Sequence, residues 1–295
     1  MLFRSPGTKA RTSAFTAMLK YAYFPLDKVK DWTLEWPEPA RAWPRLFCPP
    51  GELAAMRARV AACGLKPGAH GVPLAYFPGQ APEAMAKQAL EMLERCKTNL
   101  LTGTGFGSIN WFHAGMAIYT ALPMWEAAMG MPGLDPTARG RVKAIGAFLI
   151  HHAWEEDFWP RKEHGEGWGS ATMPTVPALA RAMGACVLAG HPRQREWLAR
   201  AVPYYQGSRA FCFNADGSSV SCPHYMGTGE ARTLYMALAL QQAGVITPFR
   251  DDPALKAYGR FVLDMLTPPD PRSPLGGPVM GLPMAARPDP AARNR

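Results

Sequence analysis

Proline and glycine divide this chain into long apolar runs at helical spacing, and that punctuation leaves few folds open. The sequence holds 30 prolines and 28 glycines. Many of the prolines fall between the runs, where a residue without an N–H cannot break a helix. One run near 51–63 stops at Gly64. The next, near 82–101, places Met85, Ala89, Met92, Cys96 and Leu100 on one face, the three-to-four spacing of an amphipathic helix.

After Gly103, Gly105 and Gly107 a run near 111–129 ends at Gly130. Asp135-Pro136 marks a helix start, a capping carboxylate followed by a first-turn proline, and that helix extends to about Glu156. Further helices are predicted from Ser170–Met173 to Gly190, from His191-Pro192 to about Ala210, near 228–243 before Gly244, and from Asp252-Pro253 to about Met265. Short connections between long helices make antiparallel neighbours. The expected fold is therefore all-α, built of stacked helical hairpins as in a toroid or solenoid. No self-similarity at 20–50 residues marks a regular repeat.

The two ends differ from this middle. Residues 1–45 mix Tyr21, Tyr23, Phe24, Trp32, Trp36 and Trp43 with prolines and charges, and read as an irregular arm able to wrap the bundle or as the remnant of a preceding domain. Beyond Thr267 the run Pro268-Pro269-Asp270-Pro271 stops any helix, and 268–295 reads as an extended Pro-rich tail. A length of 295 residues suits one large domain or two small ones.

Composition narrows the function classes. Net charge is +9, which favours a polyanion or a diffuse solvated surface. The basic residues are scattered, so a nucleic-acid partner is not expected. No stretch of about 18 apolar residues is present to span a membrane. Met1–Lys30 is basic but lacks a compact apolar core, so it does not read as a signal peptide. The six cysteines show no CxxC spacing, and neither a zinc site nor a disulfide framework is read. A Cys212–Cys222 bridge is the one pairing the spacing leaves open. No cofactor is called, and the oligomeric state is not legible.

Polar and aromatic residues concentrate in Phe213-Asn-Ala-Asp216-Gly217-Ser-Ser-Val-Ser-Cys222-Pro223-His224-Tyr225, followed by Met226-Gly-Thr-Gly-Glu230. Here an Asp-Gly turn and a short extended run lead to a histidine and a tyrosine at the mouth of a helix. Asn110-Trp111-Phe112-His113 opens another helix. Asn110 is most simply its N-cap; the functional alternative makes Trp111 a sugar-stacking platform and His113 a neutraliser of a carboxylate. Gly103, Gly105 and Gly107 follow no strand and make no nucleotide fingerprint. Glu163, His164, Glu166 and Trp168 lie on a polar loop, and Arg232 follows in the helix after Tyr225. His151 and His152, with Glu155 and Glu156, form i,i+4 pairs that read as helix-surface pairing rather than a metal site.

Three segments resemble the heparinase II/III-like polysaccharide lyases. Arg45-Leu-Phe-Cys-Pro-Pro-Gly-Glu-Leu resembles the start of that family's toroid. Asp216-Gly217-Ser218 followed by Tyr225 resembles its turn ahead of the catalytic tyrosine, and Leu266-Thr-Pro-Pro-Asp-Pro-Arg272 its exit. The resemblance spans roughly 44–275. It implies an α/α toroid at 46–267, here incomplete and without the family's β-sandwich, as if excised from a longer protein. It also implies β-elimination on a uronate-containing acidic polysaccharide, with Tyr225 as base, acid or both; His224 and His113 are further catalytic candidates read from the residues themselves. Asn110, Trp111, Glu166, Trp168, Ser170, Thr172 and Arg232 are the expected substrate contacts. The family's Asn-His pair upstream of the tyrosine has no counterpart, since Gly167-Trp168-Gly169-Ser170-Ala171-Thr172 stands there. Two other readings fit the same residues. One is a glycoside hydrolase using Asp216 and Glu166; the other is a non-catalytic domain that binds an acidic glycan.

Overall fold

The structure is a computed structural model that describes residues 30–37, 43–64, 67, 76–79, 82–102, 110–131, 133–155, 175–221, 226, 228–264, 266–269 and 278–280. Among these the fold is all-α, as the punctuation predicts. A 3-10 turn at Pro50–Glu52 leads into α1 (Leu53–Ala62). Then come α2 (Pro82–Thr102), α3 (Asn110–Met129), α4 (Pro136–Trp154), α5 (Thr175–Val187), α6 (Gln194–Cys212), α7 (Gly229–Gln242), α8 (Pro248–Asp251) and α9 (Pro253–Asp264).

The predicted starts hold where a cap defines them. Asp135 accepts hydrogen bonds from the amides of Thr137 and Ala138, and Asp252 accepts one from Ala254. Each carboxylate satisfies donors that a helix start leaves orphaned. Three features depart from expectation. Pro123 and Pro203 sit inside α3 and α6, where packing outweighs a propensity cost of about 3 kcal/mol each. The one-turn helix α8 fills a stretch the sequence left as connection. The tail expected to be merely extended contains β1 (Leu266–Pro269) paired antiparallel with β2 (Pro278–Met280). A two-stranded ribbon is all edge, and edges tolerate proline.

Helix α5 is the centre of the core. Every residue from Thr175 to Val187 except Pro177 is buried, as expected for a helix apolar all round. It packs against α3, α4, α6 and α7. Helices α3, α5 and α7 thus form an inner row, each against the next, with α2, α4 and α6 outside.

Individual contacts fix the directions. The Trp125 indole near the end of α3 donates to the Val142 carbonyl in the first half of α4 at 2.7 Å. Ile150 of α4 meets Gly184 of α5, while the Ala153 carbonyl, further along α4, accepts from Arg181, further back along α5. Gln194 at the start of α6 donates to the Ala185 carbonyl near the end of α5. Ser208 in the last turns of α6 meets Thr233 in the first turns of α7 at 2.6 Å. Each consecutive pair from α3 to α7 is therefore antiparallel, and α3, α5 and α7 run parallel with their N-termini at one end. Close approach needs glycine at two of these crossings. A Cβ on Gly146 would lie 2.1 Å from the Trp125 ring, and one on Gly184 would lie 2.8 Å from Ile150.

Residues 30–37 form no regular element and lie across the bundle. Trp36 is buried and its indole donates to the Ala189 carbonyl at 3.0 Å. His151 and His152 correct the surface reading: both are buried, in the last turn of α4. Cys48, Cys96, Cys186 and Cys212 are buried free thiols and Cys63 is an exposed one. Cys212 therefore takes no part in a bridge, and its suggested partner Cys222 lies outside the described residues.

Candidate active site

The polar stretch that follows α6 is built as a tight hairpin up to Ser221. Phe213 pairs with Ser219 across an isolated antiparallel bridge. Asn214 N–H donates to the Ser218 carbonyl, Gly217 N–H to that of Asn214, and Val220 N–H to that of Cys212. Asp216 Oδ1 accepts from the Ser218 amide at 2.9 Å and from its hydroxyl at 2.7 Å. Those bonds to the ionised form hold its carboxyl below the usual range.

Gly217 adopts φ +82, and an added Cβ would lie 2.4 Å from the backbone of Ala257 and Tyr258 in α9. Only glycine fits both the left-handed conformation and the contact. The Phe213 ring meets Tyr258 at 4.6 Å in a T-shaped pair. Burial, then Glu230 and Cys212, push the Tyr258 hydroxyl up to about 12.

The hairpin is tied to the first turn of α7. Ser219 Oγ donates to Glu230 Oε1 and accepts from the Ser221 amide at 3.0 Å. Glu230 is fully buried, and among the described residues its Oε2 has no hydrogen-bond partner. A helix N-terminus is a tolerable place for such a carboxylate, because the macrodipole favours negative charge there. Arg232, two residues on, is 8% exposed, with its guanidinium 5.9 Å from the Tyr119 ring centroid of α3. It is an interior cation rather than a surface charge, and it joins α7 to α3 across the inner row.

Asn110, Trp111 and His113 lie in the first turn of α3, with Asn110 as its first helical residue rather than its cap; their side chains lie outside the described residues. Glu166, Trp168, Ser170, Thr172, His224 and Tyr225 also lie outside them. The three groups nevertheless relate to one another through the helices. Residues 110–113 open α3, residues 166–172 precede α5 in the chain, and 224–225 precede α7. Those three helices are parallel neighbours.

Reasoning from the sequence missed Ser219, Glu230 and Tyr119. A first-turn acid such as Glu230 reads as a routine dipole partner, and only its complete burial sets it apart. Among the described residues, no group of three or more His, Cys, Asp or Glu side chains is placed to hold a metal ion. Asp216, the hydrolase candidate, is spent on the turn: it is exposed, ionised and bonded to Ser218. Comparison of the chain with protein families, with characterised proteins and with solved structures returned no match.

Proposed function

We propose that this chain is the helical domain of a polysaccharide lyase of heparinase II/III type. In this reading it is an incomplete α/α toroid that carries out β-elimination on a uronate-containing acidic polysaccharide. The observation that carries the reading is the common direction of α3, α5 and α7. The sequence segments singled out for chemistry all lead into the same end of one parallel row. At about 3.5 Å per residue, Tyr225 stays within about 14 Å of Gly229 and Thr172 within about 10 Å of Thr175. The alternation of inner and outer helices is the packing a toroid of hairpins requires.

The chemistry needs a base for the C5 proton, an acid for the O4 leaving group and a neutraliser for the uronate carboxylate. Tyr225 as phenolate takes the proton from C5. The electron pair forms the C4–C5 double bond and expels O4, and the tyrosine hydroxyl returns the proton to that oxygen. His113, His224 and Arg232 are the candidate partners for the carboxylate, whose neutralisation makes C5 acidic enough to ionise. Three parallel helix N-termini add partial positive charge at that end, and the net charge of +9 draws a polyanion toward the surface.

Incubation with alginate and with heparin is expected to raise ultraviolet absorbance as the unsaturated uronate forms. Tyr225→Phe should abolish that rise in a protein with unchanged circular dichroism; turnover by this variant sinks the assignment. Hydrolysis would release reducing ends without the double bond. Binding without turnover would mark a domain that only holds the glycan.

A further inference from the structure

Residues 32–36 are held to the bundle by a pair of histidines. His151 in α4 and His191 in the α5–α6 turn both direct Nε2 at the Thr33 carbonyl oxygen, at 3.1 and 2.9 Å. A carbonyl only accepts, so both neutral rings carry their proton on Nε2 and leave Nδ1 bare. The Arg193 amide donates to His191 Nδ1 at 3.1 Å. Among the described residues, His151 Nδ1 is buried without a partner.

The rings are 5.1 Å apart and enclosed by tryptophan. Trp32 stacks on His151 at 5.2 Å, and Trp197 stacks on His191 at 4.8 Å. Trp36 meets His191 edge-on at 5.0 Å. Lys143 donates to the Trp36 carbonyl and lies 4.5 Å from its ring centroid.

We propose that this pair is a proton-operated latch, which holds residues 30–37 on the bundle while both histidines are neutral and releases them when the histidines are protonated. The added proton has nowhere to go in the closed state. On His191 it would confront the Arg193 amide, and on His151 it would have no acceptor among the described residues. Two cations would then face each other about 5 Å apart among indole rings, where burying an unpaired charge is costly. Detachment exposes both rings to water.

Among the described residues Glu196 is the acid whose charge favours a protonated His151, and it does not offset burial and the neighbouring cations. The surrounding charges among those residues are Arg193 just before α6, Glu196 on α6, Glu155 at the end of α4, and Lys143 and His152 on α4. On the strap itself Lys30, Asp31 and Glu35 flank the contact. Glu196 already holds Arg193 in a two-point bond and also meets Arg200.

Burial first, then His191, pulls the His151 ring down to about 4; burial also lowers His191, and Arg193 adds to both. A folded-state value below the usual histidine range of about 6.5 means that the open form binds protons more readily. The latch is therefore complete above about pH 6.5 and is lost progressively as pH falls toward 4. In that window each histidine shifts the open–closed ratio by up to about tenfold per pH unit, and the pair by up to about a hundredfold. His152, held by burial at about 3, belongs to the bundle and reports on global unfolding instead.

The test is fluorine NMR on the full chain labelled with 5-fluorotryptophan, with Trp32, Trp36 and the fully buried Trp125 assigned by substitution and followed from pH 7.5 to 4. The Trp32 and Trp36 signals should move together to solvent-exposed positions while Trp125 stays native. Movement of all three at one pH, or no movement of Trp32 and Trp36 before global unfolding, overturns the proposal. In the double variant His151→Gln/His191→Gln, each amide can donate to Thr33 without titrating, so acid opening should disappear. Opening at the wild-type pH in that variant also overturns it. Should the double variant fail to fold, His191→Gln alone should lower the steepness from two protons toward one, and unchanged steepness counts against the latch.

Discussion

Two segments without helix, the strap at residues 32–36 and the hairpin at 213–221, are fixed to the same bundle by different physics. The hairpin is local. Its bonds join residues two to eight apart, from Asp216 to Ser218 and from Val220 to Cys212, and its link to α7 spans eleven. The strap makes its contacts with groups 107 to 158 residues away. It has few bonds of its own and depends on tryptophan faces, two imidazoles and one lysine. A local turn keeps its shape when its surroundings loosen. A strap held by distant partners opens as a unit when they change, which suits it to switching and the hairpin to a fixed shape.

The largest blow to the strap should be Trp36→Ala. The ring is 6% exposed, and its loss removes the contact with His191, the bond to Ala189 and the seat for Lys143. Truncating a buried tryptophan costs about 3–5 kcal/mol, measured by urea unfolding. A loss under about 1 kcal/mol would mean that the strap contributes little and that the contrast with the hairpin is overdrawn.

The matching blow to the hairpin is Gly217→Ala. A side chain there meets a left-handed backbone and the Ala257–Tyr258 backbone at 2.4 Å. Strain and overpacking together cost about 2–4 kcal/mol. The turn is expected to lift from α9 while α5 stays folded, as amide exchange would register. A neutral outcome would show that α9 yields, and that the hairpin is less rigid than its bonds suggest.

The same contrast explains what could be read from the sequence. Asp135-Pro136, Asp252-Pro253 and Asp216-Gly217 act within a few residues, so caps and the turn were legible, and helix bounds followed to within a few residues. The tryptophans of the arm were visible as a wrapping segment. Their partners were not, because nothing local in His151-His152 distinguishes a buried latch from a surface pair. The choice depends on which helix arrives opposite, a tertiary matter. The candidate site divides the same way. The residues at 110–113, 166–172 and 224–225 were found by type and turn context. That their helices run parallel follows only from packing, through Arg181, Gln194 and Ser208. Glu230 escaped notice because its significance is its burial.

The smallest of these effects concerns the joint between hairpin and helix. Ser219→Ala removes the hydroxyl that donates to Glu230 Oε1, while Oε2 already lacks a partner among the described residues. A buried carboxylate left without a donor costs about 1–3 kcal/mol, less than either steric change above. Ser219→Thr keeps the hydroxyl and should recover most of that loss. The decisive comparison is a double-mutant cycle with Glu230→Gln. If the serine acts through the carboxylate, Ser219→Ala should cost clearly less in the glutamine background, because a neutral amide needs the donor less. Equal costs in both backgrounds would mean that Ser219 serves only its own turn through Ser221. The hairpin would then be a self-contained unit resting on α9, with no bonded connection to the helix that Tyr225 precedes.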